Sequence, residues 1–261
     1  MIPDSVVGRT PQQVYSFLGQ LKNTVLPEMR KEATADEILA RIEELRTGDL
    51  TTIDLRALDL LEAMIERQSS EVLNQPGPHV EAAVAALKRA FDREWADGEE
   101  RQMAQLLHQM GNMPHPELAA EQLRELEILY RREKPGTDDR LFCGWYLADI
   151  RFSTYGKRRE GFAQMEIVIR EFHQTHPAGW PAQANTPFST YVGMFEQLDR
   201  HAEAEVFVKK HIDNPANKGQ HNWMLERLTS VYTSAFSEGT RVSLGEGQEL
   251  YQNLIAFIVK R

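Results

Sequence analysis

A recurring spacing constrains this chain more than any other feature. Leu118, Gly161, Ala204 and Gly247 follow one another at intervals of 43 residues, and each falls early in the second helix of a predicted helix pair. A single helical hairpin cannot bury its apolar face, so hairpins that recur at a fixed period stabilise one another by stacking. The spacing therefore predicts an all-α fold in which helical hairpins stack as an α-solenoid.

Proline and glycine divide the chain into helices, and no segment alternates apolar and polar residues as a strand would. Residues 1–98 are predicted to form an irregular helical region. Residues 99–261 are predicted to form regular hairpins that continue from it. The predicted pairs are 99–111 with 116–133, 138–154 with 157–174, 184–198 with 200–213, and 219–237 with 245–261.

Two consecutive pairs carry the same set of packing residues. The first helix holds a large aromatic residue and a second aromatic seven residues later, and a turn residue and a small residue follow. In the pair 138–174 these residues are Trp145, Phe152, Gly156 and Gly161, with Pro177 after the unit. In the next pair they are Phe188, Phe195, Asp199 and Ala204, with Pro215 near the end.

Residues 138–215 therefore resemble the tetratricopeptide repeat, a helical hairpin whose usual period is 34 residues. The resemblance implies a superhelix in which the large aromatic fills the space between hairpins and the small residue lets two helices approach closely. It also implies a non-catalytic scaffold that binds a protein or peptide on a concave face lined by the first helices.

Composition excludes several other classes of function. The chain has 30 basic and 39 acidic residues, a formal charge of −9, which disfavours nucleic acid as a partner. No apolar run approaches the roughly 20 residues of a membrane span. Cys143 is the only cysteine, which excludes an intrachain disulfide and suits a reducing compartment. We therefore expect a cytoplasmic protein that binds neither nucleic acid nor membrane.

The sequence contains no recognisable catalytic or metal-binding motif. It has no HExxH, no P-loop and no G-x-S-x-G. His173 and His176 form an HxxH sequence at a predicted helix end, where we expect surface side chains. Cys143 lies among apolar residues, which predicts a buried and unreactive thiol. We therefore expect no catalytic residue, no cofactor and no metal.

Candidate partner-binding residues come from two patterns. Aromatic and arginine side chains are the most frequent energetic anchors at interfaces. On the first helices, the candidates are Arg140, Trp145, Asp149, Tyr191, Trp223, Arg227 and Tyr232. The run Lys157, Arg158 and Arg159 is added because positive charge at a helix N-terminus opposes the helix dipole, and an acidic partner segment would compensate it.

An alternative hypothesis is an all-α enzyme or a small-ligand-binding protein that uses the groove as a pocket. A cavity with two or more convergent titratable groups would favour that alternative, whereas an open groove would favour the scaffold.

The predicted final helix, 245–261, has an apolar stripe that Phe257 widens. The stripe consists of Leu254, Ile255, Ile258 and Val259. A terminal solenoid unit normally has a polar outer face. We therefore expect this helix either to continue into another unit of a larger protein or to mediate self-association.

Overall fold

The computed structural model describes most of the chain. The described residues are 32–72, 76–95, 99–109, 115–154, 156–177 and 179–237, together with residues 13, 252, 255 and 256. Of these residues 86% are helical and none lies in a strand. The predicted all-α class is therefore confirmed for this part of the chain.

Ten α-helices lie within the described ranges. They are α1 (Glu32–Arg46), α2 (Thr52–Val72), α3 (Pro76–Asp92), α4 (Glu99–Gln109), α5 (Pro116–Arg132), α6 (Asp138–Ser153), α7 (Arg158–Thr175), α8 (Asn185–Gln197), α9 (His201–Ile212) and α10 (His221–Ser237). Two short 3-10 turns, Ala182–Ala184 and Pro215–Gln220, precede α8 and α10. From residue 99 to residue 237 the predicted helices agree with these bounds to within about two residues. The predicted helix 245–261 lies outside the described residues apart from Gln252, Ile255 and Ala256, which are helical and exposed.

The chain divides into two compact units. The first comprises residues 1–134 and 142–164, and the second comprises residues 135–141 and 165–261. Helix α6 begins in the second unit and continues in the first, and α7 begins in the first and continues in the second. The predicted division near residue 98 lies inside the first unit.

In the first unit, a buried arginine joins three helices. Arg56 on α2 is fully buried, and its guanidinium donates to the carboxylate of Glu99 at the start of α4. The same guanidinium lies 4.3 Å from the ring centroid of Trp95. It also donates to the backbone carbonyl of Ala90 in the last turn of α3 and to those of Arg93 and Glu94, the two residues that follow the helix. Each of these hydrogen bonds is 2.7 Å long. Arg56 therefore caps the C-terminus of α3, where carbonyl groups have no partner inside the helix.

The turns between hairpin helices follow the predicted chemistry. Gly156 and Asp199 have φ angles of 75° and 58°, the left-handed conformation that glycine adopts freely and aspartate tolerates. Gly161 allows a close approach of α6 and α7, because a Cβ atom there would lie 2.3 Å from the backbone nitrogen of Phe152. The small residue at this position is therefore a packing requirement.

Gly161→Ala is expected to lower the free energy of unfolding by about 1–3 kcal/mol, because the clashing atoms belong to the backbone of α6 and cannot rotate away. Gly193→Ala is the matched control. Gly193 also lies inside a helix, but its added Cβ would have nothing within 4 Å. It should stabilise by about 0.5–1 kcal/mol, since alanine favours helix over glycine. Urea unfolding with equal midpoints for the two variants would show that α6 and α7 do not meet at Gly161.

A buried carboxyl on α5 retains its proton at neutral pH. Glu125 is fully buried, one turn after Glu121. Burial, together with the hydrogen bond to Glu121, raises the pKa of the Glu125 carboxyl to about 8, although the neighbouring Arg124 acts in the opposite direction. The raised pKa therefore keeps Glu125 protonated beside the Glu121 carboxylate, and the Arg124 guanidinium donates to both side chains.

This proton makes stability depend on pH. The unfolded chain releases the proton near pH 4.5, whereas the folded chain keeps it to about pH 8, so the free energy of unfolding falls as pH rises through this window. Glu125→Gln replaces the ionisable carboxyl with a neutral amide of similar size and should stabilise by about 1–2 kcal/mol at pH 8.5, with little change at pH 5. Urea unfolding at both pH values measures this, with Glu117→Gln, exposed on the same helix, as control. A Glu125→Gln effect that is the same at both pH values would contradict the buried proton.

Candidate functional site

The second unit contains a partly open cleft of about 650 Å³ between α7, α8 and α9. Its lining mixes apolar surface with charged and titratable side chains. The apolar part includes Ile169, Pro177, Tyr191 and Phe207, and the titratable part includes Glu166, Arg170, His173, Lys210 and His211. The second helices of two consecutive pairs, α7 and α9, therefore supply most of the lining.

Two exposed cations lie in this lining. Arg170 on α7 and Lys210 on α9 form no ion pair with any carboxylate in the part of the chain that the structure describes. Glu166, one turn before Arg170, is also exposed and contributes a negative charge. The cleft therefore has a local excess of positive charge, in a chain whose total charge is −9.

Two imidazoles converge in the cleft. The Nε2 atoms of His173 on α7 and His211 on α9 lie 2.9 Å apart. The Nδ1 atom of His211 lies 2.7 Å from the carbonyl oxygen of Phe207, one helical turn earlier. Since a carbonyl only accepts, Nδ1 carries the hydrogen and Nε2 of neutral His211 is an acceptor. His173 therefore donates its Nε2–H to His211.

Both imidazoles are neutral at pH 7. Burial lowers the pKa of His173 to about 4, and the neighbouring His211 and Lys210 lower it as well. Burial also lowers the pKa of His211, which is 5% exposed, although the hydrogen bond to Phe207 acts in the opposite direction.

His173 and His176 were both expected to be surface residues, and both are half-buried. Helix α7 continues to Thr175, and α9 places His211 against the ring of His173. His176 is half-buried, and its ring stacks on Phe172 with centroids 4.1 Å apart. The HxxH motif was a usable signal for His173, but no local pattern indicates that His211 is its partner.

A buried amide holds the chain after α7 against the end of α9. Asn217, 1% exposed, accepts a hydrogen bond from the backbone N–H of Trp180 over 2.6 Å and donates to the carbonyl of His211 over 2.8 Å. Gly179 has a φ of 145°, and a Cβ atom there would lie 2.8 Å from Oδ1 of Asn217. The ring of Trp180 in turn contacts both His173 and His211, with centroids 5.0 and 5.8 Å away. Asn217 therefore helps to position the two imidazoles.

The predicted partner-binding residues of the second unit contact neighbouring helices of that unit more than solvent. Tyr191 lines the cleft but is only 6% exposed. Arg140 donates to Glu171 over 3.0 Å, and Tyr232, 5% exposed, donates its hydroxyl to Glu205 over 2.5 Å. Trp223 and Arg227, both on α10, are half-buried, and the Trp223 ring lies 5.2 Å from that of Phe188. Of this group only Tyr191 belongs to the cleft.

In the first unit, two predicted residues meet around a histidine that was not predicted. His108 on α4 lies 2.7 Å from the carboxylate of Asp149, and its ring centroid lies 5.4 Å from that of Trp145. Trp145 is 9% exposed, so packing accounts for this aromatic residue.

The basic run at the start of α7 is more accessible. Lys157 is half-buried and lies 3.6 Å from Glu160, and Arg158 and Arg159 are exposed. The Arg158 guanidinium lies 5.7 Å from the ring of Phe152. The thiol of Cys143 is buried, as its apolar neighbours predict.

None of the helices in the described ranges is both long and apolar enough to cross a membrane. Within the same ranges, no three side chains of His, Cys, Asp or Glu gather as a ligand set for a metal ion.

Asn217→Ala is expected to destabilise the protein by about 2 kcal/mol or more, because it leaves the N–H of Trp180 and the carbonyl of His211 without partners in a buried place. Asn214→Ala is the control, since the Asn214 side chain accepts only from the exposed backbone N–H of Ala216, over 3.0 Å, and should cost about 1 kcal/mol. Urea unfolding compares the two. Equal losses would show that the Asn217 amide does not hold the end of α9.

The chain matches no family model, no curated protein and no solved structure. No repeat family is therefore identified for residues 138–215, and the function rests on the geometry of the cleft.

Proposed function

We propose that this protein is a non-catalytic binding protein, a tetratricopeptide-like stack of helical hairpins whose cleft between α7, α8 and α9 holds a short acidic segment of another protein. The observation that carries the proposal is a pair of cations, Arg170 and Lys210, that form no ion pair within the described residues and lie beside apolar ring surface in a partly open cleft.

Charge favours carboxylates as the ligand groups. Hydrogen bonds between a guanidinium or ammonium group and a carboxylate are roughly twice as strong as neutral ones. Arg170 on α7 and Lys210 on α9 line the same cleft, so each offers a carboxylate of a bound segment a charge-assisted hydrogen bond. Glu166 repels a carboxylate placed beside it, which restricts the acidic residues to the part of the cleft near the two cations.

Shape and apolar surface favour a peptide segment. The rings of Phe207 and Tyr191 lie 5.0 Å apart at their centroids and offer apolar surface to a nonpolar side chain of the segment. A cleft that is open on one side also lets the bound chain continue beyond it.

The net charge of −9 opposes the approach of an acidic partner at long range. At physiological ionic strength this repulsion is screened beyond about 8 Å, so the contacts inside the cleft decide the affinity.

The hairpin stack is supported by packing between consecutive helices. Helix α4 packs on α5, α8 packs on α9, and α9 packs on α10. Two further features agree with the tetratricopeptide resemblance of residues 138–215. They are the close approach of α6 and α7 at Gly161 and the left-handed backbone conformation of the turn residue Asp199.

Fluorescence anisotropy with labelled ten-residue peptides tests the proposal. Three peptides are compared: Leu alternates with Glu in the first, with Gln in the second and with Lys in the third. Their length and apolar content are therefore the same. The Glu peptide should bind most tightly, and the double variant Arg170→Glu/Lys210→Glu should weaken its binding by about tenfold or more, since 1.4 kcal/mol is a factor of ten. Lys88→Glu, at an exposed lysine of the first unit that is not among the candidate partner-binding residues, is the control and should change binding less than about twofold. Equal affinities for the three peptides would reject an acidic ligand.

The histidine pair favours a second candidate, a small molecule bound or converted in the same cleft. Small-molecule pockets usually measure about 300–1,000 Å³, and the volume here lies in this range. Convergent titratable groups with shifted pKa values are also frequent at such sites. A thermal-shift screen of small carboxylates and phosphate esters tests this candidate. A compound that raises the melting temperature of the wild type and of Lys88→Glu, but not of His173→Gln, would favour it over the peptide.

A further inference from the structure

We propose that His173 and His211 form a two-histidine site for a divalent transition metal ion, with Cu²⁺ and Ni²⁺ preferred. This proposal concerns other side chains and another class of ligand than the acidic-segment proposal, and neither depends on the other.

The separation of the two nitrogens suits a shared metal ion. Two ligand nitrogens at about 2.0–2.1 Å from one ion are about 2.9 Å apart in adjacent square-planar or octahedral positions, and about 3.3 Å apart in a tetrahedral site. The Nε2 atoms of His173 and His211 lie 2.9 Å apart. An ion with adjacent ligands at right angles therefore fits the separation of the two nitrogens once each ring turns so that its Nε2 points at the ion and not at the other ring, and copper(II) and nickel(II) favour such geometry with nitrogen ligands.

The surroundings of His211 are those of a metal-binding histidine. Its Nδ1–H donates to the carbonyl of Phe207 over 2.7 Å, which fixes the tautomer whose Nε2 carries a lone pair that a metal ion can bind in place of the His173 proton. Metal-binding histidines almost always donate a hydrogen bond in this way from the N–H of the second ring nitrogen to a carbonyl, a carboxylate or water. The helix that carries His211 is anchored by Asn217, so the imidazole is positioned before an ion arrives.

Without an ion, the proton on Nε2 of His173 bridges the two rings. Metal binding requires this proton to leave Nε2, and His173 becomes a ligand by taking up a proton at Nδ1 as it gives one up at Nε2. The ring stays neutral in this change of tautomer, so the exchange releases no net proton. Imidazoles that are neutral at pH 7 need no deprotonation before they bind a metal ion.

The remaining coordination positions are open. No third His, Cys, Asp or Glu joins the pair among the described residues, so water or a carboxylate of a bound ligand would complete the coordination. Charges around the pair partly cancel, since Lys210 and Arg170 repel a cation and Glu166 attracts it. Two protein ligands and the remaining net positive charge predict weaker binding than at a site with three or four protein ligands.

Isothermal titration of the untagged full-length chain with Cu²⁺ and with Ni²⁺ tests the site, together with the electron paramagnetic resonance spectrum of the Cu²⁺ form. The expected result is one ion per chain and a nitrogen hyperfine pattern from two imidazoles. His173→Gln and His211→Gln should each weaken binding by about tenfold or more. His176→Gln is the matched control, because His176 lines the same cleft but stacks on Phe172, and it should bind like the wild type.

Circular dichroism and urea unfolding establish that each variant is folded. If His211→Gln is unfolded, His173→Gln alone decides the outcome, because His173 is the less buried partner. Binding that is equal in the wild type and His173→Gln, or lost equally in His176→Gln, overturns the proposal, as does a spectrum without two imidazole nitrogens. Arg170→Glu/Lys210→Glu exchanges two positive charges beside the pair for two negative ones, so it should raise the metal affinity while it weakens binding of the Glu peptide, which separates a failure here from a failure of the acidic-segment proposal.

Discussion

The arrangement of the cleft depends on one buried side-chain amide. Asn217 satisfies a backbone N–H from the segment after α7 and a backbone carbonyl from the end of α9, and both would otherwise be buried without partners. These two hydrogen bonds hold the backbone at Trp180 against the end of α9. The positions of His173 and His211 follow from this contact, because the Trp180 ring contacts both imidazoles.

The first unit uses the same physical device with a charged side chain. Arg56 caps the end of α3 and pairs with Glu99, so one buried group satisfies carbonyls that α3 cannot satisfy itself. A buried guanidinium is tolerated only when its donors are used and its charge is compensated, and both conditions hold here. In both units, helix ends are therefore joined by a polar group from a distant part of the chain.

The chemistry of the cleft separates into two regions. The cations Arg170 and Lys210 are exposed and suit carboxylates, whereas the imidazoles of His173 and His211 are neutral and suit a metal ion. Because α7 and α9 each contribute one cation and one imidazole, both regions depend on how these two helices pack. A ligand carboxylate that also completed the coordination of a metal ion would connect the two regions.

The sequence by itself determined the helices and their turns. Apolar spacing and the residues at Gly156, Gly161 and Asp199 act over one or two helical turns, so they predicted α4 to α10 and the close approach of α6 and α7. Only the tertiary structure decided which helix faces meet. His173 and His211 are 38 residues apart, and Arg56 and Glu99 are 43 apart. Contacts over such distances depend on the rotation and packing of whole helices, which the local pattern of residues does not specify.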